Sequence, residues 1–368
     1  MNQNAKNAVY TKEYNRAQIL RLLRRAPVSR AELSRETGLT RAAISLIVEE
    51  LIREGMVRES SAAADGHSRG RMPVLLKLCP DGAYAVGIWL GRSGCRVGIC
   101  DLAGKVICQE KLPLQSTANA LMEPLAKTVE ALISRQGIHK QRILGVGISA
   151  PGPLDPDKGV ILNPPGFDAF NHFASADALA GLLQLPVYLE KDANGAAVCH
   201  YMDGICGENS LLLIVDSGVG SGVIHQGRLL RGCELGHTAI DFQGQVCACG
   251  NRGCLELYAS TPRILRQFPA DSWETLMASS QAEAALELEA DYLAAAILNL
   301  NNILPLDTVL FSGDLQPYCQ SLVPRIRQRI QGKSLGTGKL ALLPATQNET
   351  SRVAEACAPV FGRYLRIC

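Results

Sequence analysis

Apolar positions over the first sixty residues fall at helical spacing, and from Pro73 onward they gather into short runs split by glycines. Ile19, Leu20 and Leu23 predict a helix over residues 14–25, stopped by Pro27. Ser29, with Glu32 three positions later, predicts a capping box opening a second helix over 30–37. Gly38 ends that helix and Thr40 caps a third, whose Ile44, Ile47, Val48 and Leu51 share one face. Its other face begins with Thr40, Arg41, Ala42 and Ser45. Residues 56–60 and 74–78 read as strands around a small, Gly-rich, basic loop over 61–72. Beyond it, the runs at 84–90, 96–100, 143–148, 187–189, 211–215 and 308–311 read as strands separated by helical stretches, which predicts an α/β architecture.

Composition narrows the classes. A chain of 368 residues, 47% hydrophobic and 20% charged, suits two or three domains with sizeable cores. The net charge of +2 gives no global attraction to a polyanion, so any nucleic-acid surface must be a local basic patch. No apolar run of about 18 residues exists to cross a membrane. The polar start, residues 1–13, lacks the apolar core of a signal peptide, and the expected location is cytoplasmic. Most of the thirteen cysteines stand singly among apolar neighbours, as buried thiols do in a reducing compartment.

Helix, Gly-containing turn, helix and then a basic hairpin is the pattern of a winged helix-turn-helix. The start of the second helix of that motif reaches base edges in the major groove, which nominates Thr40, Arg41 and Ser45. Arg41 suits guanine; Ser45 suits a base or a phosphate. Arg69 and Arg71, at the tip of the wing, suit the minor groove or phosphate. The plain alternative is a helical bundle with a solvated basic face.

The remaining cysteines cluster. His237, Cys247, Cys249 and Cys254 form one imidazole and three thiols at close spacing, the donor set of a closed tetrahedral zinc site. Protein would fill all four positions, so the expected Zn²⁺ is structural. Cys233 lies near in sequence but outside the expected set.

The block Gly218-V-G-S-Gly222 … Glu234-L-G-His237 … Cys247-A-Cys249-G-N-R-G-Cys254-L-Glu256 resembles the ROK family of repressors, open reading frames and kinases. Similar segments are Gly147-I-S-A-P-G-P-Leu154, Asn163-Pro164 and Glu190-K-D-A-Asn194, and the winged helix ahead of them resembles the family's repressor branch. The resemblance implies an actin-like (ribonuclease H-like), two-lobed, sugar-kinase-type domain with a sugar cleft, in a homodimer or homotetramer. It also implies roles by position. Asp192 matches the catalytic base of the kinases; Asn163, Glu234, His237 and Glu256 match sugar-contacting positions. Lys191 stands where the family usually has Asn and joins the expected effector set; either it pairs with Asp192 and only shapes the pocket, or it serves an anionic effector such as a sugar phosphate or sugar acid. The expected organisation is a flexible tail over 1–12, a winged helix over 13–79 and a ROK domain over 80–368. In that domain, lobe one spans about 80–192 plus 348–368, and lobe two spans 193–347.

The kinase pattern itself is broken. The run Trp89-Leu90-Gly91-Arg92-Ser93-Gly94 aligns with the family's Asp-x-Gly-Gly-Thr-Lys phosphate loop but lacks the acid, one glycine and the lysine. Phosphate loops need glycines so that backbone N–H groups can approach the anion. Asp216-Ser217-Gly218 puts an acid where nucleotide phosphates would sit, and Phe311-Ser312-Gly313-Asp314 departs from the adenosine loop. The expectation is therefore a non-enzyme, with Asp192 vestigial: a sugar-responsive regulator, most simply a repressor, whose partners are operator DNA and a carbohydrate. The competing readings are an ATP-dependent sugar kinase with a DNA-binding appendage, and a scaffold whose cleft holds a protein.

Overall fold

The computed structural model describes residues 3–61, 74–92, 94–333, 339–346 and 351–368. The chain divides into two compact units, Met1–Asp203 with Glu349–Cys368 and Gly204–Asn348.

The first unit opens with α1 (Gln3–Arg25), β1 (Val28–Ser29), α2 (Arg30–Thr37), α3 (Arg41–Arg53), β2 (Val57–Ser61) and β3 (Val74–Leu78). The capping logic of the sequence is realised. The Ser29 hydroxyl accepts from the Glu32 N–H while the Glu32 carboxylate accepts from the Ser29 N–H, Gly38 takes a left-handed turn, and Thr40 accepts from the Ala43 N–H. Ile19, Leu20, Leu23, Leu33, Ile44, Val48, Leu51 and Leu76 close one small core. Two expectations need correction. The segment expected as a tail is helical from Gln3, because nothing between there and Glu13 breaks a helix and Arg366 pairs with Glu13 and lies over the Tyr10 ring. The sheet also gains β1, too short to read from sequence, which pairs with Leu75 and Leu76 of β3.

The same unit continues with β4 (Tyr84–Gly91), β5 (Gly94–Asp101), β6 (Val106–Leu112), α4 (Ala118–Arg135), β7 (Ile143–Ala150), β8 (Leu154–Asp155), β9 (Val160–Ile161), α5 (Ser175–Leu183), β10 (Val187–Lys191) and α6 (Asp192–Met202). Its sheet runs β10-β7-β4-β5-β6, with parallel pairing on one side of β4 and antiparallel pairing on the other.

The second unit contains β11 (Ser210–Val215), β12 (Val219–His225), β13 (Arg228–Leu230), α7 (Glu256–Ala259), α8 (Thr261–Gln267), α9 (Trp273–Met277), α10 (Ala282–Ile303), β14 (Thr308–Gly313), α11 (Cys319–Ile330) and β15 (Ala341–Pro344). Its sheet runs β13-β12-β11-β14-β15, again antiparallel on one side of its central strand and parallel on the other. The two sheets therefore repeat one topology, which is what the expected actin-like, two-lobed fold requires. The break between units falls after Asp203, so α6 belongs with the first unit and not, as expected, with lobe two.

The last helix, α12 (Ser351–Tyr364), packs on α6 and on the β4–β7 side of the first sheet. The approach is backbone to backbone. A Cβ on Gly147 would lie 2.0 Å from the Ala356 carbonyl oxygen, and one on Gly195 would lie 2.6 Å from that of Glu355.

Candidate functional site

The reader face is set by α3. Burial of Ile44, Ile47, Val48 and Leu51 turns Arg41 and Ala42 fully outward and leaves Ser45 half-buried. The Thr40 hydroxyl is occupied as the helix cap, 3.2 Å from the Ala43 nitrogen, so it positions the helix start. Arg41 makes no ion pair among the described residues, in contrast to Arg30, which pairs with Glu59, and Arg16, which pairs with Glu50 and Glu54. Arg69 and Arg71 lie outside the described residues.

In the second unit the structure gathers the cysteine–histidine set. Ligating atoms of His237, Cys247, Cys249 and Cys254 all lie within 4.8 Å of one another. The Cys249 and Cys254 sulfurs are 3.6 Å apart, and the Cys247 sulfur is 3.7 Å from His237 Nδ1. Ligands about 2.0–2.3 Å from a tetrahedral ion stand roughly 3.5–3.8 Å from each other, so these separations suit a single small ion. The loop is held in shape by backbone: the Cys247 N–H donates to Asn251 O, and Gly253, with φ of 63°, sits so close to Asp241 O that a Cβ would lie 1.6 Å away. Burial and the neighbouring thiols push the Cys254 thiol up to about 12, whereas the Asn251 backbone N–H holds exposed Cys249 below its ordinary value. Such a set can hold a metal ion, and a cation is what would relieve three crowded sulfurs as thiolates.

The same unit brings together Glu234, His237 and Glu256. Glu234 and His237 flank one short turn, closed by the His237 N–H donating to Glu234 O at 3.0 Å. Gly236 lets that turn lie on β12, since a Cβ there would be 2.1 Å from the Val219 carbonyl oxygen. The Val219 N–H donates to Glu256 Oε2 at 3.0 Å. Val219 thus anchors both segments. His237 aims Nδ1 at the thiols, which leaves Nε2 to serve a second partner.

In the first unit, Lys191 ends β10 and Asp192 opens α6. The Asp192 carboxylate accepts from the Ala193 N–H at 2.7 Å; burial raises its pKa, against the pull of that N–H and of Lys191, Arg352 and Arg92. Asn163 is exposed on the loop after β9. Glu190 and Asn194, which frame the motif, are engaged with each other at 2.8 Å and are internal supports.

Sequence reasoning missed Glu355. It is 1% exposed on α12, one of its oxygens has no partner among the described residues, and burial pushes its pKa up to about 7, with Asp192 adding to the rise. Arg352 approaches it at 3.7 Å and also lies over the Trp89 ring. The available signal was an acid inside the otherwise apolar run Val353–Phe361.

The segments expected to match nucleotide loops are, in the first unit, crowded by side chains and, in the second, acidic. The Trp89 indole folds over Gly91, where an added Cβ would lie 2.0 Å from the ring. Arg92 donates to Pro165 O at 2.9 Å. In the second unit, β11 and β14 pair in register up to Val215 and Gly313, so Asp216 and Asp314 follow at adjacent strand ends. Asp314 accepts from Thr261 Oγ1, and its pKa is raised by burial and by Asp216.

The ROK family model matches residues 85–349 and the MarR family model residues 13–67. The xylose repressor of Bacillus subtilis is 31% identical over 269 residues, covering 70% of this chain and 68% of that protein. Among solved structures, a ROK family transcriptional regulator, a homologue of the E. coli Mlc protein, superposes with a TM-score of 0.78 at 25% identity over 96% of both chains. A ROK hexokinase from Thermus thermophilus gives 0.64 at 26% identity over 75% of this chain and 97% of its own.

Proposed function

Because the chain belongs to the ROK family and opens with a MarR-like winged helix, we propose that it is a carbohydrate-responsive transcriptional repressor. One observation carries the reading: Arg41, without an ion pair among the described residues, is presented at the capped start of α3, on a chain that resembles a transcriptional regulator over nearly its whole length. Arg41 reads a base edge, Ser45 contacts a base or phosphate, Thr40 fixes the helix start, and Arg69 and Arg71 meet DNA from the wing. Two readers in a homodimer or homotetramer take two half-sites. A protein on operator DNA works in the cytoplasm, where its cysteines stay reduced.

The effector is a sugar or sugar derivative. The first unit offers Asn163, Lys191 and Asp192; the second offers Glu234, the Nε2 of His237 and the second oxygen of Glu256. Carboxylates, an amide and an imidazole suit vicinal hydroxyls, because each buried partner left unpaired costs binding. A zinc ion on His237, Cys247, Cys249 and Cys254 is structural: it would fix the loop and hold the turn that carries Glu234.

Phosphoryl transfer is not part of this reading. The indole over Gly91 supports the loss of one phosphate cradle, and Asp216 with Asp314 supports repulsion of nucleotide phosphates. The test is selection of genomic DNA fragments by the purified chain, followed by release with a panel of sugars and sugar phosphates and an ADP-release assay on the same panel. Sequence-selective capture relieved by one carbohydrate, without ADP, is expected. Brisk ADP release, or no capture at low salt, overturns the reading.

A further inference from the structure

We propose that Leu46 is a specificity-determining residue of the reader, packing on the 5-methyl group of a thymine in the major groove; the inference rests on the DNA-reading proposal above. Leu46 is 65% exposed in the middle of α3, while Ile44, Ile47, Val48 and Leu51 of the same helix are 8% exposed or less. It lies one turn beyond exposed Ala42 and next to Ser45, with exposed Glu49 three residues on.

A single exposed leucine is ordinary on a protein surface and says nothing alone. Its position gives it meaning. It occupies the first half of the second helix of the motif, the part that enters the groove, on the side where Ala42 keeps the helix surface low. Arg41, five residues earlier on the same helix, is exposed and without an ion pair among the described residues. A duplex satisfies both groups at once: phosphate or guanine takes the guanidinium, and the thymine methyl is the one apolar feature a base pair shows in the major groove.

The experiment selects duplexes from a randomised pool with the full chain and with Leu46→Ala and Leu46→Gln. Each thymine of the wild-type consensus is then replaced in turn by deoxyuridine, which lacks only the methyl group. One thymine per half-site is expected to weaken wild-type binding about fourfold when its methyl is removed, the worth of one buried methyl. The same replacement should leave Leu46→Ala unchanged, and Leu46→Gln should move the preference away from thymine at that position alone. Equal responses of wild type and Leu46→Ala at every thymine overturn the proposal while the DNA reading stands. A Leu46→Ala protein that loses affinity equally for all duplexes and changes its oligomeric mass overturns it in favour of a protein contact. Failure of the wild type to select any sequence removes the DNA reading on which it rests.

Discussion

The Tyr364 hydroxyl donates to the Met56 sulfur across 3.0 Å, which ties the end of α12 to the turn between α3 and the wing strand β2. The opposite end of α12 holds Arg352 and Glu355, the groups whose charges bear on Asp192. Fourteen residues of one helix, about 21 Å at 1.5 Å per residue, thus run from the surroundings of Asp192 to the winged helix. Its backbone rests directly on Gly147 and Gly195. Tyr364→Phe is expected to leave operator affinity without effector within about twofold and to shrink the effector-induced loss of affinity about fivefold, the worth of one hydrogen bond. Fluorescence anisotropy on a selected operator, with and without effector, measures both; an unchanged ratio makes α12 a passive strut.

Glu355 predicts a pH dependence with a definite sign. Its folded pKa of about 7 stands above the ordinary 4.5, so the folded chain holds a proton that the unfolded chain releases between those values. The stabilisation is complete below pH 4.5 and is lost as pH rises through 7, to an extent on the order of 3 kcal/mol. Asp192 and Glu289, raised by burial, act in the same direction. Glu355→Gln should match wild type at pH 5 and melt higher at pH 8. Melting curves at the two values decide it; a constant offset between the proteins contradicts the assignment.

At the reader, Thr40→Ala removes the cap that accepts from the Ala43 N–H and should cost about 1 kcal/mol of stability. Arg41→Ala should leave the melting point alone and weaken the best operator by about 1–3 kcal/mol, with relaxed selectivity at one base position. Uniform weakening on every duplex would instead make Arg41 a phosphate contact.

The four ligands predict one zinc per chain by elemental analysis, lost in Cys247→Ser. The expected consequence is a lower melting transition of the second unit and weaker effector binding, because the loop that carries His237 and Glu256 loses its staple. Retention of full zinc content in Cys247→Ser would remove that cysteine from the set.

Local signals made most of this legible. Ser29, Gly38 and Thr40 announce helix ends through their own side chains and backbone, and the cysteine–histidine spacing announces its cluster, so the reader and the metal set could be written down from sequence. What the sequence hid depends on long-range pairing. The two-residue strand β1 exists only because Leu75 and Leu76 reach it. Glu355 comes to bear on Asp192 only because α12 returns to the first unit, and α6 belongs there because it packs on α12. The arginines expected at the wing tip, Arg69 and Arg71, lie outside the described residues.

Lys191 carries the last prediction. It stands beside Asp192, and Arg352 and Arg92 also favour the ionised Asp192. Arg352 also faces Glu355, and Arg92 donates to Pro165 O, so Lys191 is the cation of the three that directly adjoins Asp192 in the chain. We expect an effector with its own negative charge, a sugar phosphate or a sugar acid, held by the Lys191 ammonium. Calorimetry should then show a preference for the charged form over the parent sugar, and Lys191→Asn should reduce that preference about tenfold or more, the worth of a charge-assisted hydrogen bond. The preference should also weaken with added salt, though less than an exposed pair would, since Lys191 is only 8% exposed. If Lys191→Asn left the charged-to-neutral ratio intact, the three cations would serve only to hold Asp192 ionised, and a neutral sugar would be the effector.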